Sequence, residues 1–145
     1  MAEPHDLNDV LSIMSGGAIA QRRKLETVNL ENYRSAFKEI LGAPETQIYV
    51  GVVNDGEVVS TYQLTFLKRL SFEGRPRASI ESFHTKEEWR GKGIGKQMLD
   101  HAYQKTVAHG CCLVELTSNA LRLNAHRFYE RYGFKQSHLG FKLEL

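Results

Sequence analysis

The stretch that says most about the fold is Arg90-Gly91-Lys92-Gly93-Ile94-Gly95-Lys96, in which glycines alternate with other residues. An apolar pattern of helical period begins at Ile94, so the stretch predicts a loop that leads into a helix N-terminus. Such a terminus exposes unpaired backbone N–H groups and the positive end of the helix dipole. Glycines let this backbone approach a ligand closely. With the basic residues on either side, the pattern favours a phosphate or pyrophosphate on the loop.

Two familiar nucleotide-binding loops are excluded. A P-loop requires Ser or Thr after its Gly-Lys pair, whereas Gln97 follows Lys96. A Rossmann fingerprint lies in an early βαβ unit and has an acidic residue about 20 positions on, where this chain has Cys111-Cys112. A plain strand-to-helix connection with a solvated basic face stays open as the alternative.

Composition predicts one soluble globular domain over residues 1–145, with 41% hydrophobic and 25% charged residues. The net charge of +2 argues against nucleic acid or a membrane as partner. No signal peptide or membrane span is predicted. The only cysteines, Cys111 and Cys112, are adjacent and suit a reduced, cytoplasmic environment. No spacing of Cys and His indicates a metal site.

Periodicity predicts an α+β order of elements. The predicted helices are Asp6 (as cap) to about Met14, Leu30 to Leu41 with Asn29 as cap, Ile94 to about His109, and Leu123 to Tyr132. The predicted strands are Gln47–Val53, Glu57–Leu67, Ala78–Thr85 and Leu113–Thr117, with one or two closing strands in Phe134–Leu143. Ser15-Gly16-Gly17 should end the first helix, Asn54-Asp55-Gly56 should form a hairpin turn, and Gln21–Thr27 should be a loop. The crossover from Ala78–Thr85 through the helix to Leu113 predicts parallel neighbours.

Two motifs resemble the GNAT family of N-acetyltransferases. Arg90, Gly93 and Gly95 occupy the fixed positions of its acyl-CoA loop, R/Q-x-x-G-x-G/A. The stretch from Asn124 to Phe134 is similar to its closing motif, N-x-x-A-x-x-F-Y-x-x-x-G-F, although Asn124 directly precedes the alanine here. The family also begins with a β-strand, for which only Met1–Pro4 are available. The resemblance implies a mixed, mostly antiparallel sheet flanked by about four helices, with the βαβ crossover at the acyl-CoA site.

The resemblance further implies acetyl-CoA as cosubstrate and direct attack by an amine in a ternary complex. The pyrophosphate would lie on the N–H groups of Arg90–Lys96, and the pantetheine arm would pair with backbone groups of Phe83 and Thr85. Tyr129 matches the family tyrosine that protonates the leaving thiolate, with a core tyrosine as the alternative. Asn124 either bonds the cofactor arm or caps its helix.

A base must deprotonate the attacking amine. Glu81 is the candidate, on the expectation that it shares a strand face with Phe83 and Thr85 and that Ser82 and His84 lie opposite. The alternatives are His84, an ordered water, and a Glu81 that only pairs with arginines 75 or 77 on the surface. Oxyanion contacts are expected from N–H groups near residues 83–84. The two cysteines are expected in the core, and an acyl-cysteine route is rejected because the motif places no histidine or asparagine to activate them.

The predicted substrate is a small-molecule primary amine. The segments Glu115–Asn119, Arg122–Tyr129 and Gln136–His138 resemble the aminoalkylphosphonate acetyltransferase branch, which acetylates amines that carry a phosphonate with the help of a divalent metal. An unassigned small-amine acetyltransferase is the plainer alternative. A non-catalytic acetyl-CoA-binding regulatory or interaction protein is an alternative of a different class, as is nucleic-acid binding. Monomer and homodimer stay open.

Overall fold

The computed structural model describes residues 1–17, 29–54 and 56–143, and the predicted loop at Gln21–Thr27 lies outside them. Two compact units are present, Met1–Glu115 and a second that begins at Leu116. The helices are α1 (Leu7–Gly17), α2 (Leu30–Leu41), α3 (Ile94–Ala108) and α4 (Leu123–Tyr132). The strands are β1 (Thr46–Val53), β2 (Glu57–Leu67), β3 (Arg77–Thr85) and β4 (Leu113–Leu116). None of the described helices is long and apolar enough to cross a bilayer.

The first two helices differ in how well the sequence predicted them. Helix α2 has the predicted bounds, and the side chain of Asn29 accepts a hydrogen bond from the Glu31 N–H at 3.1 Å. Helix α1 begins at Leu7, directly after Asp6 as predicted, but the capping role of Asp6 and the predicted end near Met14 were wrong. The Asp6 carboxylate accepts from the Glu3 N–H at 2.8 Å and so closes a short 3₁₀ turn, Pro4–Asp6, before the helix. At the other end, α1 continues through Gly17 because its last turn packs on the sheet.

Four strands form one mixed sheet in the order β1-β2-β3-β4. Strand β2 pairs antiparallel with β1 and with β3. The Cys112 N–H bonds the Pro76 carbonyl at 2.8 Å, so β4 and β3 begin at the same end of the sheet, as a crossover through α3 requires. At the β1–β2 turn, Asn54 and Gly56 have positive φ of 45° and 97°, and the middle residue of the predicted turn lies outside the described ranges. The α+β prediction is confirmed.

Strand β3 contains a β-bulge that the sequence analysis did not foresee. Thr61 pairs with His84 and Gln63 pairs with Glu81, so one residue of β2 stands opposite two of β3. Ser82 takes a left-handed φ of 48° there. The register puts Glu81 and His84 on one face of the sheet and Phe83 and Thr85 on the other. The expected simple alternation was wrong, because the extra residue shifts every later side chain to the opposite face.

The two faces of the sheet carry different helices. The face that includes Ile48, Glu81 and His84, here the α1/α2 face, packs against the first two helices in a core with Ala2, Leu7, Val10 and Phe37. The face that includes Tyr62 and Phe83, here the α3 face, packs against Met98, Leu99 and Ala102. Helices therefore cover both faces of this mostly antiparallel sheet.

The segment before the 3₁₀ turn makes one ladder-like contact with β1. The Ala2 N–H donates to the Ile48 carbonyl at 2.8 Å, and Ala2 is buried. No strand is formed there, since the 3₁₀ turn begins at Pro4. Among the described residues of this segment, Ala2 alone makes such a ladder-like hydrogen bond with β1.

The second unit is built around α4. Gly133 ends this helix with a positive φ of 117°, and its N–H bonds the Tyr129 and Glu130 carbonyls. The predicted closing strands are absent from the described residues 134–143. The alternating apolar side chains that suggested them, Leu139, Phe141 and Leu143, are 81–92% exposed. Alternation marks a strand only where one face is buried, and here neither is.

Gly51 offers a stability test of the α3 face. A β-carbon there would collide with the Ser60 hydroxyl and lie 2.9 Å from the Met98 sulfur. Gly51→Ala should lower the free energy of unfolding by about 1–3 kcal/mol through overpacking. Gly16→Ala is the control, since open space surrounds Gly16 in α1, and it should raise stability by about 0.5–1 kcal/mol. Urea unfolding midpoints compare the two, and equal effects would contradict the packing account.

Candidate functional site

The glycine loop has the geometry of an anion site. Gly91 and Gly93 have positive φ of 74° and 83°, and Gly93 is the N-cap of α3 without a side-chain cap. The first backbone N–H groups of α3 therefore have no partner within the helix and can donate to a ligand. Open space surrounds the position of a β-carbon at either glycine, so a ligand can approach the backbone closely.

The basic side chains of the loop are partly engaged. The Lys96 ammonium pairs with the Asp100 carboxylate at 2.8 Å, one helical turn on. The Lys92 ammonium lies 4.6 Å from the centre of the Trp89 ring. Both lysines were expected to add positive charge to the loop, and neither partner was predicted from the sequence. The backbone N–H groups and the helix dipole thus remain as the features of the loop that would favour an anion.

Arg90 connects the loop to β3. Its Nε donates to the Thr85 carbonyl at 3.2 Å, across the short 3₁₀ turn Glu87–Trp89. This bond holds the end of the strand next to the beginning of the loop. The bond therefore brings together two regions that were predicted from the sequence to bind one cofactor. They are the strand with Phe83 and Thr85, and the glycine loop.

The second half of β3 extends past β4. Strand β4 has four residues and begins beside Pro76, whereas β3 has nine. Phe83 and Thr85 lie in this extension, beyond the bulge at Ser82. A β-bulge leaves a residue outside the regular ladder, so its backbone groups can serve a ligand. The bulge could not be predicted from the local sequence, because its left-handed residue is a serine, which rarely adopts that conformation.

Glu81 is exposed on the α1/α2 face. Its carboxylate accepts a hydrogen bond from the Gln63 side-chain amide at 3.2 Å. The proposed pairing with arginines was wrong, because Arg77 binds the Glu115 carboxylate at 3.2 Å and Arg75 donates to the Cys111 carbonyl at 3.2 Å. Gln63 is a neighbour that the sequence analysis missed, since the cross-strand register that joins it to Glu81 depends on the bulge.

His84 lies on the same face as Glu81 but is buried. A β-carbon at Gly17 would lie within 2.8 Å of two ring carbons of His84. The end of α1 therefore covers the imidazole and leaves the exposed Glu81 as the more accessible of the two candidate bases.

The adjacent cysteines are half-buried. Burial and the neighbouring Cys112 raise the pKa of the Cys111 thiol, and the Arg75 charge offsets this only in part. A thiol with a raised pKa is a weak nucleophile at neutral pH.

Tyr129 is buried in the second unit. Its ring centre lies 5.3 Å from that of Phe128 and 5.9 Å from that of Phe134. Burial raises the pKa of its phenol, and the nearby Arg122 opposes that change. The hydroxyl is therefore a proton donor at neutral pH, with a ring held by packing.

Asn124 does not cap α4. The helix begins at Leu123 with Arg122 as N-cap, so the capping interpretation was wrong. The Asn124 side chain instead accepts from the Arg127 guanidinium. Asn119 organises the entry to the helix, since its side chain accepts from the Leu121 N–H at 2.9 Å.

Comparison with known families decides the identity. A model of the acetyltransferase (GNAT) family matches residues 17–134. The chain belongs to this family. It is accordingly an N-acetyltransferase by family, which agrees with the anion-site geometry of the loop at the start of α3. The match spans the glycine loop and α4, the two segments on which the resemblance was based.

Individual relatives agree with the family. An aminoalkylphosphonate N-acetyltransferase of Salmonella typhimurium is 32% identical over 114 residues, 79% of this chain and 73% of the relative. A structure from Bacillus halodurans C-125, described as a transcriptional regulator, is 35% identical with a TM-score of 0.90, covering 99% of this chain and 96% of the other. Glucosamine-6-phosphate N-acetyltransferase of Arabidopsis thaliana, at 18% identity, TM-score 0.82 and coverage of 99% and 94%, shares the fold.

Proposed function

We propose that this acetyltransferase moves an acetyl group from acetyl-CoA to the primary amine of a small molecule, by direct attack in a ternary complex. The observation that carries the proposal is the bond between Arg90 and the Thr85 carbonyl. Acetyl-CoA joins a pyrophosphate to an amide-bearing arm that ends in the thioester. The glycine loop suits the pyrophosphate, and the adjoining strand offers backbone partners for the arm.

The arm is proposed to pair with backbone groups of Phe83 and Thr85, in the part of β3 beyond β4. Its thioester would then lie near the bulge at Ser82. N–H groups at residues 83–84 would stabilise the negative charge that develops on the carbonyl oxygen during attack.

Glu81 is proposed as the base that removes the ammonium proton, directly or through a water. Its support is exposure on the α1/α2 face and the Gln63 amide that orients its carboxylate. His84 is the second candidate, and its burial under Gly17 counts against it. Tyr129 is proposed to protonate the thiolate of CoA, since its phenol stays protonated at neutral pH. Asn124 is proposed to bond the cofactor arm.

For the acceptor, we propose a small amine that resembles an aminoalkylphosphonate. The support is the Salmonella relative at 32% identity. A second candidate function is a regulatory acetyl-CoA-binding protein, which the name of the Bacillus halodurans structure favours. A screen of short aminoalkylphosphonates, the matching aminocarboxylates and plain alkylamines, with detection of released thiol, separates the two. Turnover of the phosphonates above the carboxylates supports the first, and acetyl-CoA binding without turnover of any amine supports the second.

Acetyl-CoA binding is the first testable consequence. At about a hundredfold excess over its Kd, acetyl-CoA should stabilise the folded protein by roughly 2.7 kcal/mol, whereas ATP and NAD should not. Gly93→Asp should abolish this gain, because a carboxylate would occupy and repel the pyrophosphate site. Gly74→Asp is the matched control: Gly74 also has positive φ and open surroundings, so it carries a similar backbone cost of about 1–2 kcal/mol. Thermal shift measurements that found both variants still stabilised would refute the loop assignment.

The base assignment predicts a pH dependence. The rate constant kcat/KM should rise with pH through one ionisation, as the amine loses its proton. Glu81→Gln should lower kcat/KM by about 10²-fold or more at neutral pH, with acetyl-CoA affinity unchanged. Glu45→Gln, an exposed carboxylate before β1, should leave the rate unchanged. A fully active Glu81→Gln variant would transfer the role to His84 or to water.

The acid assignment predicts that Tyr129→Phe lowers kcat by about 10²-fold, the lower end for general acid catalysis. The ring and its contacts with Phe128 and Phe134 are kept, so the melting temperature should stay nearly unchanged. Because burial raises the phenol pKa, the wild type should keep its kcat up to about pH 10, the ordinary tyrosine value. Normal kcat in a folded Tyr129→Phe variant would identify a core tyrosine instead.

A further inference from the structure

A cavity lies on the α3 face of the sheet, within the first unit. Its volume is about 390 Å³, within the range of small-molecule sites. Its lining includes Gln47, Tyr49, Phe66, His101, Lys105 and His109. Glu81 and His84 lie on the opposite face of the sheet. From Gly95 in the loop to Lys105, the axis of α3 rises about 15 Å. The cavity is therefore distinct from the proposed base and from the glycine loop proposed for the pyrophosphate.

Aromatic side chains form the walls of this cavity. The Tyr49 and His101 rings meet edge to face, with centres 4.6 Å apart. The Phe66 and His109 rings stack at 3.8 Å and are nearly parallel, at 9°. Tyr49 and Phe66 are themselves buried, so these walls are held by the core. Rigid aromatic surfaces of this kind suit a flat or apolar ligand body.

Lys105 gives the cavity a positive charge. Its ammonium lies 5.9 Å from the centre of the Tyr49 ring. Within residues 1–17, 29–54 and 56–143, no carboxylate lies within 4.0 Å of it, and no acidic residue lines the cavity. A cation beside low-dielectric aromatic walls attracts a small anion more strongly than one in open solvent.

A buried hydrogen bond fixes the state of His101. The Tyr62 hydroxyl lies 2.6 Å from His101 Nδ1, and Tyr62 is fully buried. Burial raises the Tyr62 pKa, so this hydroxyl keeps its proton and donates to Nδ1. Burial and Lys105 lower the His101 pKa, so the imidazole is neutral with its proton on Nε2. His101 thus offers one N–H donor in addition to the Lys105 charge.

We propose that this cavity binds a small planar organic anion of the aromatic carboxylate class, with the carboxylate on Lys105 and the ring against Tyr49 and His109. The site is independent of the amine acceptor and of the proposed chemistry. It would remain if the acetyl-transfer proposal failed.

Benzoate is the probe, and the imidazole NMR signals of His101 and His109 report binding. We expect saturable shifts of both signals, which persist when acetyl-CoA is present in excess. Benzamide, with the same ring and no charge, should bind at least tenfold more weakly. Acetate, with the charge and no ring, should also bind at least tenfold more weakly.

Lys105→Gln should weaken benzoate binding at least tenfold, and Lys105→Arg should restore it to within a few-fold. Lys38→Gln, an exposed lysine of α2, is the matched control and should bind as the wild type does. Circular dichroism checks the fold of each variant. Equal affinity in Lys105→Gln and wild type, equal affinity for benzoate and acetate, or displacement by acetyl-CoA would each overturn the proposal.

Discussion

The bulge in β3 is the constraint on which the proposed site depends. One extra residue of β3 lies between the pairs Thr61–His84 and Gln63–Glu81. It changes which face of the sheet each later side chain of the strand lies on. Glu81 lies on the face that packs against α1 and α2, and Phe83 lies on the α3 face. The left-handed Ser82 costs about 1–2 kcal/mol. Regular pairing with β2 on both sides of the bulge holds that conformation.

Helix α3 carries two surfaces of different chemistry at its two ends. Its first turn faces the glycine loop, where the dipole and unpaired N–H groups favour an anion. Its last turns carry Lys105 and His109 beside buried aromatic rings. Between them, Met98, Leu99 and Ala102 are buried against the sheet and fix the position of both ends. The same packing that stabilises the unit therefore sets the distance between the two surfaces.

Charged side chains contribute more to local placement than to stability. The pairs Lys86–Glu57, Lys96–Asp100 and Arg77–Glu115 are all partly exposed, and such pairs stabilise proteins by at most about 1 kcal/mol. These pairs give partners to charged side chains whose partners were not predicted from the sequence. Because Arg77 pairs with Glu115, it does not pair with Glu81, and the Glu81 carboxylate accepts a hydrogen bond from Gln63 instead. Lys105 has no such partner among the described residues, and this separates it from the other lysine of α3, Lys96.

The sequence by itself determined the elements and the loop. The bounds of α2, β2 and α4 agree with the periodicity, because apolar spacing and caps such as Asn29 act within a few residues. Tertiary structure decided what depends on a partner strand or on burial. The bulge, the shared face of Glu81 and His84, the Gln63 contact and the Tyr62–His101 bond all join residues far apart in the chain or depend on such pairing. The one or two closing strands predicted in Phe134–Leu143 are absent from the described residues 134–143, since a residue pattern is a local property and a ladder requires a neighbour.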